Sequence, residues 1–449
     1  MTSIWILRRQ KGQKMSKDDV NYRLGTLAVH AGQQADPTTG ARAVPIYATS
    51  SYVFRNTDHA ANLFSLSEPG NIYSRLMNPT NDVLEKRLAS MDGGAAGLTF
   101  ASGMAAVSAA VLTLTQAGEN LISSKSLYGG TWTLFTQTLS KLGIEVRFFD
   151  TDKPEQISEL ADENTRCVYI ESIGNTKNDV CDFQAVTEIA HGLSIPVICD
   201  NTVTTPILLR PIDHGADIVV YSTTKFIGGH GLHVGGAIVD SGQFQWSEHP
   251  EKWPQFCAPD DAYHGVVFSE AFRSAGNIAY AAHVRTHILR DMGGCMSPFA
   301  AFLFLQGIET LHLRMPAHCR NALAVAEFLN KHKAVGWVNY PGLSEHPQHA
   351  NACKYLPNGA GAIIGFGIRG GRQAGVKFIN NVKLASHLAN IGDAKTLVIH
   401  PASTTHQQLT PDEQTATGVS DDYIRLSVGI EDVDDITADL DQALRMSQR

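Results

Sequence analysis

Three ionisable residues stand at or just beyond the ends of predicted buried strands. Glu171 ends the apolar run CVYIE, Asp200 ends PVICD, and Lys225 follows DIVVYS by three residues. A buried carboxylate needs a positive partner or a proton, and burial lowers the pKa of an amine. A lysine in such a place can be neutral near neutral pH and act as a nucleophile or a base. The three residues therefore predict chemistry at one edge of a sheet.

The surroundings of Lys225, in the run YSTTKFIGGHG, offer hydroxyls and glycines rather than acidic partners. A surface lysine in a loop is the ordinary alternative. Here Ser222 and Thr224 supply hydroxyl donors that suit a phosphate. Backbone can approach a ligand closely at the glycines that follow, which are Gly228, Gly229, Gly231, Gly235 and Gly236. This context favours a lysine that binds an aldehyde cofactor.

Asp200 suggests which aldehyde that is. A carboxylate that caps the following turn, DNTVTTP, is the ordinary alternative. The pyridinium nitrogen of pyridoxal 5′-phosphate (PLP) is a positive partner for a buried aspartate, and the pair keeps the ring an electron sink. Asp200 and Lys225 are 25 residues apart, which spans one strand–helix–strand step. We therefore predict a PLP enzyme in which Lys225 holds the cofactor and Asp200 faces the pyridine nitrogen.

Two further segments complete the predicted site. In TFASGMAAVSAAV a strand runs into Gly103 and Met104, and a helix starts at once. Free backbone N–H groups at a helix start bind anions, so this turn is a candidate phosphate cup. Tyr128, in SLYGGTW, is an aromatic residue at a strand exit. It can stack on the cofactor ring, although core packing explains it equally well.

Other catalytic motifs are absent from the sequence, including Gly-x-Ser-x-Gly, the Walker loop and HExxH. His230 and His233 could bind a metal, but the loop after Lys225 already accounts for them. No catalytic metal is expected.

The periodicity of apolar residues predicts an α/β protein with a mainly parallel, seven-stranded sheet flanked by helices and a smaller C-terminal α/β domain. The predicted strands are GLTF, NLISS, EVRFF, CVYIE, PVICD, DIVVYS and GGAIV. The predicted divisions are an N-terminal arm over 1–80, a large domain over 81–290 and a small domain over 291–449. Residues 241–290 break the alternation and are predicted to form a long insertion loop.

Composition excludes several classes of protein. The 449 residues carry a net charge of −8, which argues against nucleic acid or an anionic membrane as a partner. No apolar run is long enough to span a membrane. The seven cysteines include no Cys-x-x-Cys pair, which predicts a cytoplasmic protein with reduced thiols. The basic run at Arg8, Arg9, Lys11 and Lys14 is interpreted as a tail, and Met15 is a second candidate start.

Taken together, these residues resemble the Cys/Met-metabolism family of fold-type I PLP enzymes, which includes cystathionine γ-synthase and methionine γ-lyase. The resemblance extends from about Leu24 to the C-terminus. Its principal segments are LAVHAGQQADPTTGARAVPIYATSSYVF, GNIYSRLMNPTNDVLEKRLA, SPFAAFLFLQGIETLHLRM, VGWVNYPGL, GDAKTLVIHPASTTHQQL and IRLSVGIEDVDDI.

The resemblance implies a role for each site residue. Lys225 would carry the cofactor and move protons, Asp200 would pair with the pyridinium, and Tyr128 would stack on the ring and assist the leaving group. The phosphate would be held by Gly103, Met104, Ser222 and Thr224. Tyr73 and Arg75 would reach the phosphate of a neighbouring subunit, in a homotetramer built of dimers that share active sites. Arg425 would clamp the substrate carboxylate, helped by Asn175, Thr396 and Tyr73.

The implied reaction is γ-replacement on O-acetyl-L-homoserine by sulfide or methanethiol. A γ-lyase or a cystathionine γ-synthase shares every cofactor residue and remains the alternative, and a non-catalytic PLP carrier is a third. Two segments depart from the family pattern: TKNDVCDF after Asn175 and GGHGLHVGG after Lys225. Leu232 and His233 could reshape the cleft, so the nucleophile stays open. A thiocarboxylate carrier or a carbon nucleophile could replace sulfide, and the acyl group could be acetyl or succinyl.

Overall fold

The structure is a computed structural model that describes residues 22–404 and 418–449. The basic run from Arg8 to Lys14, Met15 and the first 21 residues of the predicted arm lie outside these ranges. No helix within them is long and apolar enough to cross a membrane.

All seven predicted strands form one sheet. They are β1 (Ala96–Phe100), β2 (Asn120–Ser124), β3 (Glu145–Phe149), β4 (Thr165–Glu171), β5 (Val197–Asp200), β6 (Ile218–Tyr221) and β7 (Gly236–Asp240). Their order across the sheet is β1-β7-β6-β5-β4-β2-β3. β7 pairs antiparallel with β1 and β6, and the other neighbouring pairs are parallel. The prediction of a mainly parallel sheet is confirmed.

Successive residues of each buried strand face opposite sides of this sheet. In β4, Val168 and Ile170 belong to one hydrophobic core, whereas Cys167 and Tyr169 belong to the other. The helices that cover both faces within the first 240 residues are α1 (Leu24–His30), α2 (Thr57–Phe64), α3 (Pro79–Asp92), α4 (Gly103–Leu114), α5 (Gly129–Thr133), α6 (Leu139–Lys141), α7 (Gln156–Leu160), α8 (Phe183–Gly192) and α9 (Thr205–Leu208). A π-helical turn, Leu134–Thr138, joins α5 to α6.

Residues 241–290 are not one irregular loop. They contain α10 (Pro254–Cys257), α11 (Phe268–Ala271), α12 (Ala279–His283) and the π-helix Val284–Leu289, which continues into α13 (Arg290–Met292). The ring of Trp246 contacts those of Trp253 and Phe256, and all three side chains are almost fully buried. Packing of these rings orders a segment whose sequence has no clear periodicity.

A second, five-stranded sheet follows, with the order β10-β11-β12-β9-β8. Its strands are β8 (Val335–Asn339), β9 (Ile363–Ile368), β10 (Ser386–His387), β11 (Leu397–Ile399) and β12 (Tyr423–Ser427). The sequence predicted β8, β9 and β12 but not the two shortest strands. The remaining helices are α14 (Pro298–Glu309), α15 (Leu311–Lys331), α16 (His349–Tyr355), α17 (Gly371–Asn381) and α18 (Val433–Ser447).

Candidate active site

The carboxyl ends of β4, β5 and β6 lie side by side, as parallel strands require. Glu171 pairs in register with Asp200, and Asp200 pairs with Val220. Lys225 follows β6 after a turn in which its N–H donates to the carbonyl oxygen of Ser222, at 3.2 Å. Eight predicted site residues line one cleft at this edge: Gly103, Met104, Tyr128, Asn175, Asp200, Ser222, Thr224 and Lys225. The edge at which ligands bind in such sheets is therefore the edge where the sequence placed the chemistry.

The amine of Lys225 has a pKa below the usual range for lysine. Burial, reinforced by the charge of Arg425, lowers its pKa to about 8. Its Nζ donates to Oδ1 of Asn390 at 2.6 Å. The loop that carries Asn390 approaches closely because Gly392 has no side chain, and a Cβ there would lie 2.5 Å from the backbone nitrogen of Phe226. An oriented amine with a lowered pKa suits an aldehyde cofactor, because the unprotonated amine is the form that attacks the aldehyde.

Asp200 lies on the floor of the cleft without a cationic partner among residues 22–404 and 418–449. Its Oδ1 accepts the backbone N–H of Thr202 at 2.9 Å, and the hydroxyl of Tyr169 lies 3.5 Å from Oδ2. Burial raises the pKa of Asp200 above its usual range. A carboxylate held in this way favours a cationic group beside it, because that group would relieve the cost of burying the charge.

The N-terminus of α4 faces the same cleft. Ser102 caps this helix by accepting the N–H of Ala105 at 3.0 Å, and the first-turn N–H groups of Gly103 and Met104 have no partner within the helix. A Cβ at Gly103 would lie 2.7 Å from Cβ of Ser222, so only glycine permits this approach. Free N–H groups at a helix start suit a phosphate.

Thr224 lines the cleft and also holds the loop that follows Lys225. Its hydroxyl donates to the carbonyl oxygen of Gly235 at 3.1 Å and accepts the N–H of that residue at 2.9 Å. Its contact with a phosphate stays a prediction. Arg314 holds the same loop from behind through the carbonyl oxygens of Phe226 and Ile227.

Glu171 organises the opposite wall. Its Oε1 accepts the N–H of Tyr128 at 2.6 Å, and its Oε2 accepts the N–H of Asn175 at 3.3 Å. Burial, followed by the charge of Asp200, raises the pKa of Glu171 well above its usual range. Tyr128 keeps 47% of its surface exposed, so its ring is available above the cleft. A buried Glu171 therefore positions two residues that the sequence assigned to the site.

Arg425, on β12, brings the second sheet to the cleft. Its guanidinium donates to Oδ1 of Asn175 at 3.4 Å and to the carbonyl oxygen of Asn390 at 3.5 Å. It is 93% buried, and burial lowers its pKa. Within the described ranges it has no carboxylate partner. A buried guanidinium with long hydrogen bonds and no anion is suited to clamp a substrate carboxylate.

Four predicted site residues are not among those that line this cleft: Arg425, which touches it through Asn175, and Thr396, Tyr73 and Arg75. Thr396 is fully buried, and its hydroxyl donates to Glu431 at 2.9 Å while accepting the N–H of Gly429 at 3.0 Å. Its side chain therefore supports a loop. Tyr73 and Arg75 are exposed, with the guanidinium 5.3 Å from the ring centroid. This position leaves them free to reach another subunit, which remains a prediction.

The loop that departs from the family pattern reaches the cleft at one residue. Val234 lines the cleft, and Leu232 and His233 do not. Leu232 is instead 65% exposed. The second departure, after Asn175, faces the small sheet, where Asn178 donates to carbonyl oxygens of β8 and β9. Val234 is therefore the residue of these segments that can affect the shape of the cleft.

PLP fits the residues that are present. Among the described residues Asp200 has no cationic partner, and the first turn of α4 offers N–H groups without a partner in the helix, where a side chain at Gly103 would not fit. Lys225 offers an amine of lowered pKa. Ser222 and Met104 complete the rim. The fold and the cleft together define the class, a PLP-dependent enzyme of fold type I.

Comparison with known proteins supports this class of enzyme. The model of the Cys/Met metabolism PLP-dependent enzyme family matches residues 25–445. The chain is 54% identical over 423 residues to homocysteine synthase of Schizosaccharomyces pombe, covering 94% of this chain and 98% of that protein. It is 52% identical over 431 residues to O-acetyl-L-homoserine sulfhydrylase of Leptospira meyeri, covering 95% and 97%.

A solved structure that contains a PLP-modified lysine has a similar fold. The crystal structure of a Campylobacter jejuni protein, assigned as an O-acetylhomoserine (thiol)-lyase and containing N′-pyridoxyl-lysine-5′-monophosphate, superposes with a TM-score of 0.91 at 40% identity. The match covers 94% of this chain and all of that one. The chain belongs to the Cys/Met metabolism PLP-dependent enzyme family.

Three residues that contact the side chains of Lys225 and Asp200 were not predicted from the sequence. Asn390 bonds Lys225, Thr202 bonds Asp200 and accepts the N–H of Ser222, and Tyr169 lies beside Asp200. Tyr169 carried a signal, because it precedes Glu171 by two residues and must share its face of β4. No feature of the sequence indicated Asn390, since it lies in a loop 165 residues from Lys225 along the chain.

The contact between Asn390 and Lys225 predicts a pH effect. Asn390→Ala should lower kcat/KM by about tenfold, because a hydrogen bond to a charged group contributes roughly 1.5–3 kcal/mol. Without the Oδ1 acceptor the ammonium form of Lys225 is less stable and its pKa falls. The acidic limb of the pH profile of kcat should therefore move to lower pH. Asn390→Asp should move it to higher pH, since a carboxylate raises the pKa of the amine.

The pH profiles of these two variants should therefore diverge, and a merely structural defect would not move them in opposite directions. Asn381→Ala is the matched control, because that side chain donates within its own helix. Coincident profiles for Asn390→Ala and Asn390→Asp would contradict the assigned contact.

Proposed function

We propose that this enzyme catalyses γ-replacement on O-acetyl-L-homoserine with sulfide, giving homocysteine and acetate, and that methanethiol can replace sulfide to give methionine. The observation that carries the proposal is a cleft that contains a lysine of lowered pKa, beside a buried guanidinium with no carboxylate partner among the described residues, in a chain 54% identical to a homocysteine synthase. The C–O bond at Cγ breaks, acetate leaves and a C–S bond forms.

The chain's own residues would divide the work. Arg425 and Asn175 bind the α-carboxylate and orient the substrate above the cleft floor. Lys225 Nζ, whose lowered pKa leaves part of the amine unprotonated near neutral pH, takes the proton from Cα and returns it at the end of the reaction. Tyr128, above the cleft, assists departure of acetate. PLP, when bound through Lys225 and paired with Asp200, supplies the electron sink that stabilises the developing carbanion.

A γ-lyase or a cystathionine γ-synthase is the second candidate, because the same cofactor residues serve those reactions. Val234 bears on this choice, since it lines the cleft in a segment where the chain departs from the family pattern. Its apolar side chain offers no charged group to bind the amino and carboxylate groups of a second amino acid. Sulfide or a small thiol is therefore favoured over cysteine as the nucleophile.

The proposal includes an assembly of several subunits and a cytoplasmic location. We infer that the arm over 1–80 lies against a neighbouring subunit and that Tyr73 and Arg75 reach its phosphate site. Their exposure and their position outside the cleft of their own chain support this inference. The proposed divisions are the arm, a large domain over 81–290 and a small domain over 291–449. The proposed assembly is a cytoplasmic homotetramer built of dimers that share active sites.

Product analysis tests the proposed reaction. PLP-loaded enzyme should convert O-acetyl-L-homoserine to homocysteine and acetate only when sulfide is present. The O-succinyl ester, assayed in parallel, distinguishes the two acyl groups. Formation of 2-oxobutanoate and ammonia without sulfide would instead show a γ-lyase. Cystathionine formed from added cysteine would show a cystathionine γ-synthase, and either outcome would overturn the proposal.

A further inference from the structure

Asp260, His283 and His287 form a cluster away from the cleft. Asp260 caps the 3-10 helix Asp261–Tyr263, and the two histidines lie one turn apart where α12 passes into the π-helix. None of the three lines the cleft that contains Lys225. The proposed reaction leaves them without a role.

The donor atoms of the cluster lie close together. One ring nitrogen from each histidine and one carboxylate oxygen of Asp260 all lie within 4.8 Å of one another. The imidazole rings stack with centroids 4.0 Å apart and planes 6° from parallel. His287 Nε2 lies 2.9 Å from Oδ2 of Asp260. Two imidazoles and a carboxylate are a donor set that divalent transition metals prefer.

His283 carries an unsatisfied polar atom. Its side chain is nine-tenths buried, and Nδ1 has no hydrogen-bond partner in the described part of the chain. Phe256 and Phe268 contact its ring edge to face, so no polar group is supplied from that side. Burial, followed by the charge of His287, lowers the pKa of His283 to about 3, and the ring is therefore neutral near neutral pH. A buried polar atom without a partner is costly unless something satisfies it.

The outer contacts already orient the other two donors. Oδ1 of Asp260 accepts the N–H groups of Ala262 and Tyr263, which leaves Oδ2 directed at His287. Nδ1 of His287 lies 3.0 Å from the hydroxyl of Thr286, so Nε2 is the nitrogen that faces Asp260. Hydrogen bonds of this kind hold metal ligands in position.

We propose that Asp260, His283 and His287 bind a divalent transition metal such as Zn2+, with water completing the coordination. Magnesium and calcium are excluded by the two imidazoles, because those ions prefer oxygen ligands. Binding replaces the hydrogen bond between His287 and Asp260. It also rotates the rings, because ligands at 2.0–2.1 Å from a tetrahedral ion lie about 3.3 Å apart.

The metal would have a structural role. It links the loop of Asp260 to a helix whose π-helical part packs on α4. Since the first turn of α4 forms the phosphate end of the cleft, the metal stabilises the layer behind the cofactor. This role is consistent with the expectation that no metal takes part in catalysis.

Metal binding to the tag-free holoenzyme tests the proposal. After treatment with a chelator, the protein should bind one equivalent of Zn2+ per chain by calorimetry and elemental analysis, and its Tm should rise with Zn2+. Co2+ should give the visible absorption of a low-coordinate site. Each of His283→Gln, His287→Gln and Asp260→Asn should weaken Zn2+ binding by at least about tenfold.

His191→Gln is the matched control, because His191 also lies 2.9 Å from a carboxylate, that of Asp217, but belongs to no group of three metal-binding side chains in the described part of the chain. It should bind Zn2+ as the wild type does. If a ligand variant fails to fold, the Co2+ spectrum of the wild type and its competition by Zn2+ still decide the question. Two outcomes would overturn the proposal: no binding by the wild type at about 100 μM Zn2+, or equal binding by folded ligand variants. The cluster would then be an ion pair beside a neutral histidine.

Discussion

Replacing Lys225 with alanine should abolish the conversion of O-acetyl-L-homoserine and remove the long-wavelength absorption band of lysine-bound PLP. Lys225 would be both the residue that carries the cofactor and the base at Cα, so one substitution removes two functions. General acid–base catalysis alone contributes about 10²–10⁴-fold, and loss of the covalent attachment adds to it. We expect kcat/KM to fall by at least about 10³-fold.

The fold should tolerate this change. Within residues 22–404 and 418–449, the side chain of Lys225 makes one hydrogen bond, to Asn390, and burial of its amine carries a cost that alanine avoids. Lys252→Ala is a matched control, because Lys252 is another lysine whose pKa is lowered by burial but which lies outside the cleft. It should keep both the absorption band and activity. If the band persisted in Lys225→Ala, another amine would carry the cofactor.

Much of this site was predictable because its residues lie at element ends. The ends of β4 and β5 were fixed by apolar runs that stop at Glu171 and Asp200, and parallel pairing then places both at one edge. The start of α4 was equally clear, since Ser102 is a capping residue followed by a glycine. Local sequence rules determine such features, so no tertiary information was needed.

The remaining features depend on contacts between distant segments. Asn390 reaches Lys225 because Gly392 lets a loop of the small sheet approach the backbone of Phe226. Thr396 was assigned to the substrate, yet its hydroxyl bonds Glu431. Neither the contact of Asn390 nor that of Thr396 can be predicted from the local sequence pattern, because both depend on how segments distant in sequence pack together. The stacked His283 and His287 did carry a signal, four residues apart on a helix, that the dispersal of 18 histidines concealed.

Asp200→Asn should have opposite effects on the cofactor-bound and cofactor-free protein. In the holoenzyme the variant loses the anion that pairs with the pyridinium. We expect kcat to fall by roughly 10²–10³-fold, the range seen when one preorganised electrostatic contact is removed, and PLP to bind at least about tenfold more weakly. The shape of the site should persist, since asparagine can still accept the N–H of Thr202.

In the cofactor-free protein the same substitution should be stabilising. Burial raises the pKa of Asp200 in the folded state, so the folded protein binds its proton more tightly than the unfolded chain does. Stability is therefore lost as pH rises from the unfolded pKa through the raised folded pKa, and the full penalty applies above both. Asparagine does not titrate, so its advantage over aspartate should be largest at mildly alkaline pH and shrink on acidification.

Denaturant unfolding of the cofactor-free proteins at several pH values, paired with PLP titrations, measures both effects. Asp152→Asn is the control, because Asp152 is exposed and its replacement should change neither quantity. Loss of stability in cofactor-free Asp200→Asn at alkaline pH would mean that a cation within the protein already pairs with Asp200. The carboxylate would then not be reserved for the pyridinium, and the assignment of the cleft floor to PLP would lose its main electrostatic support.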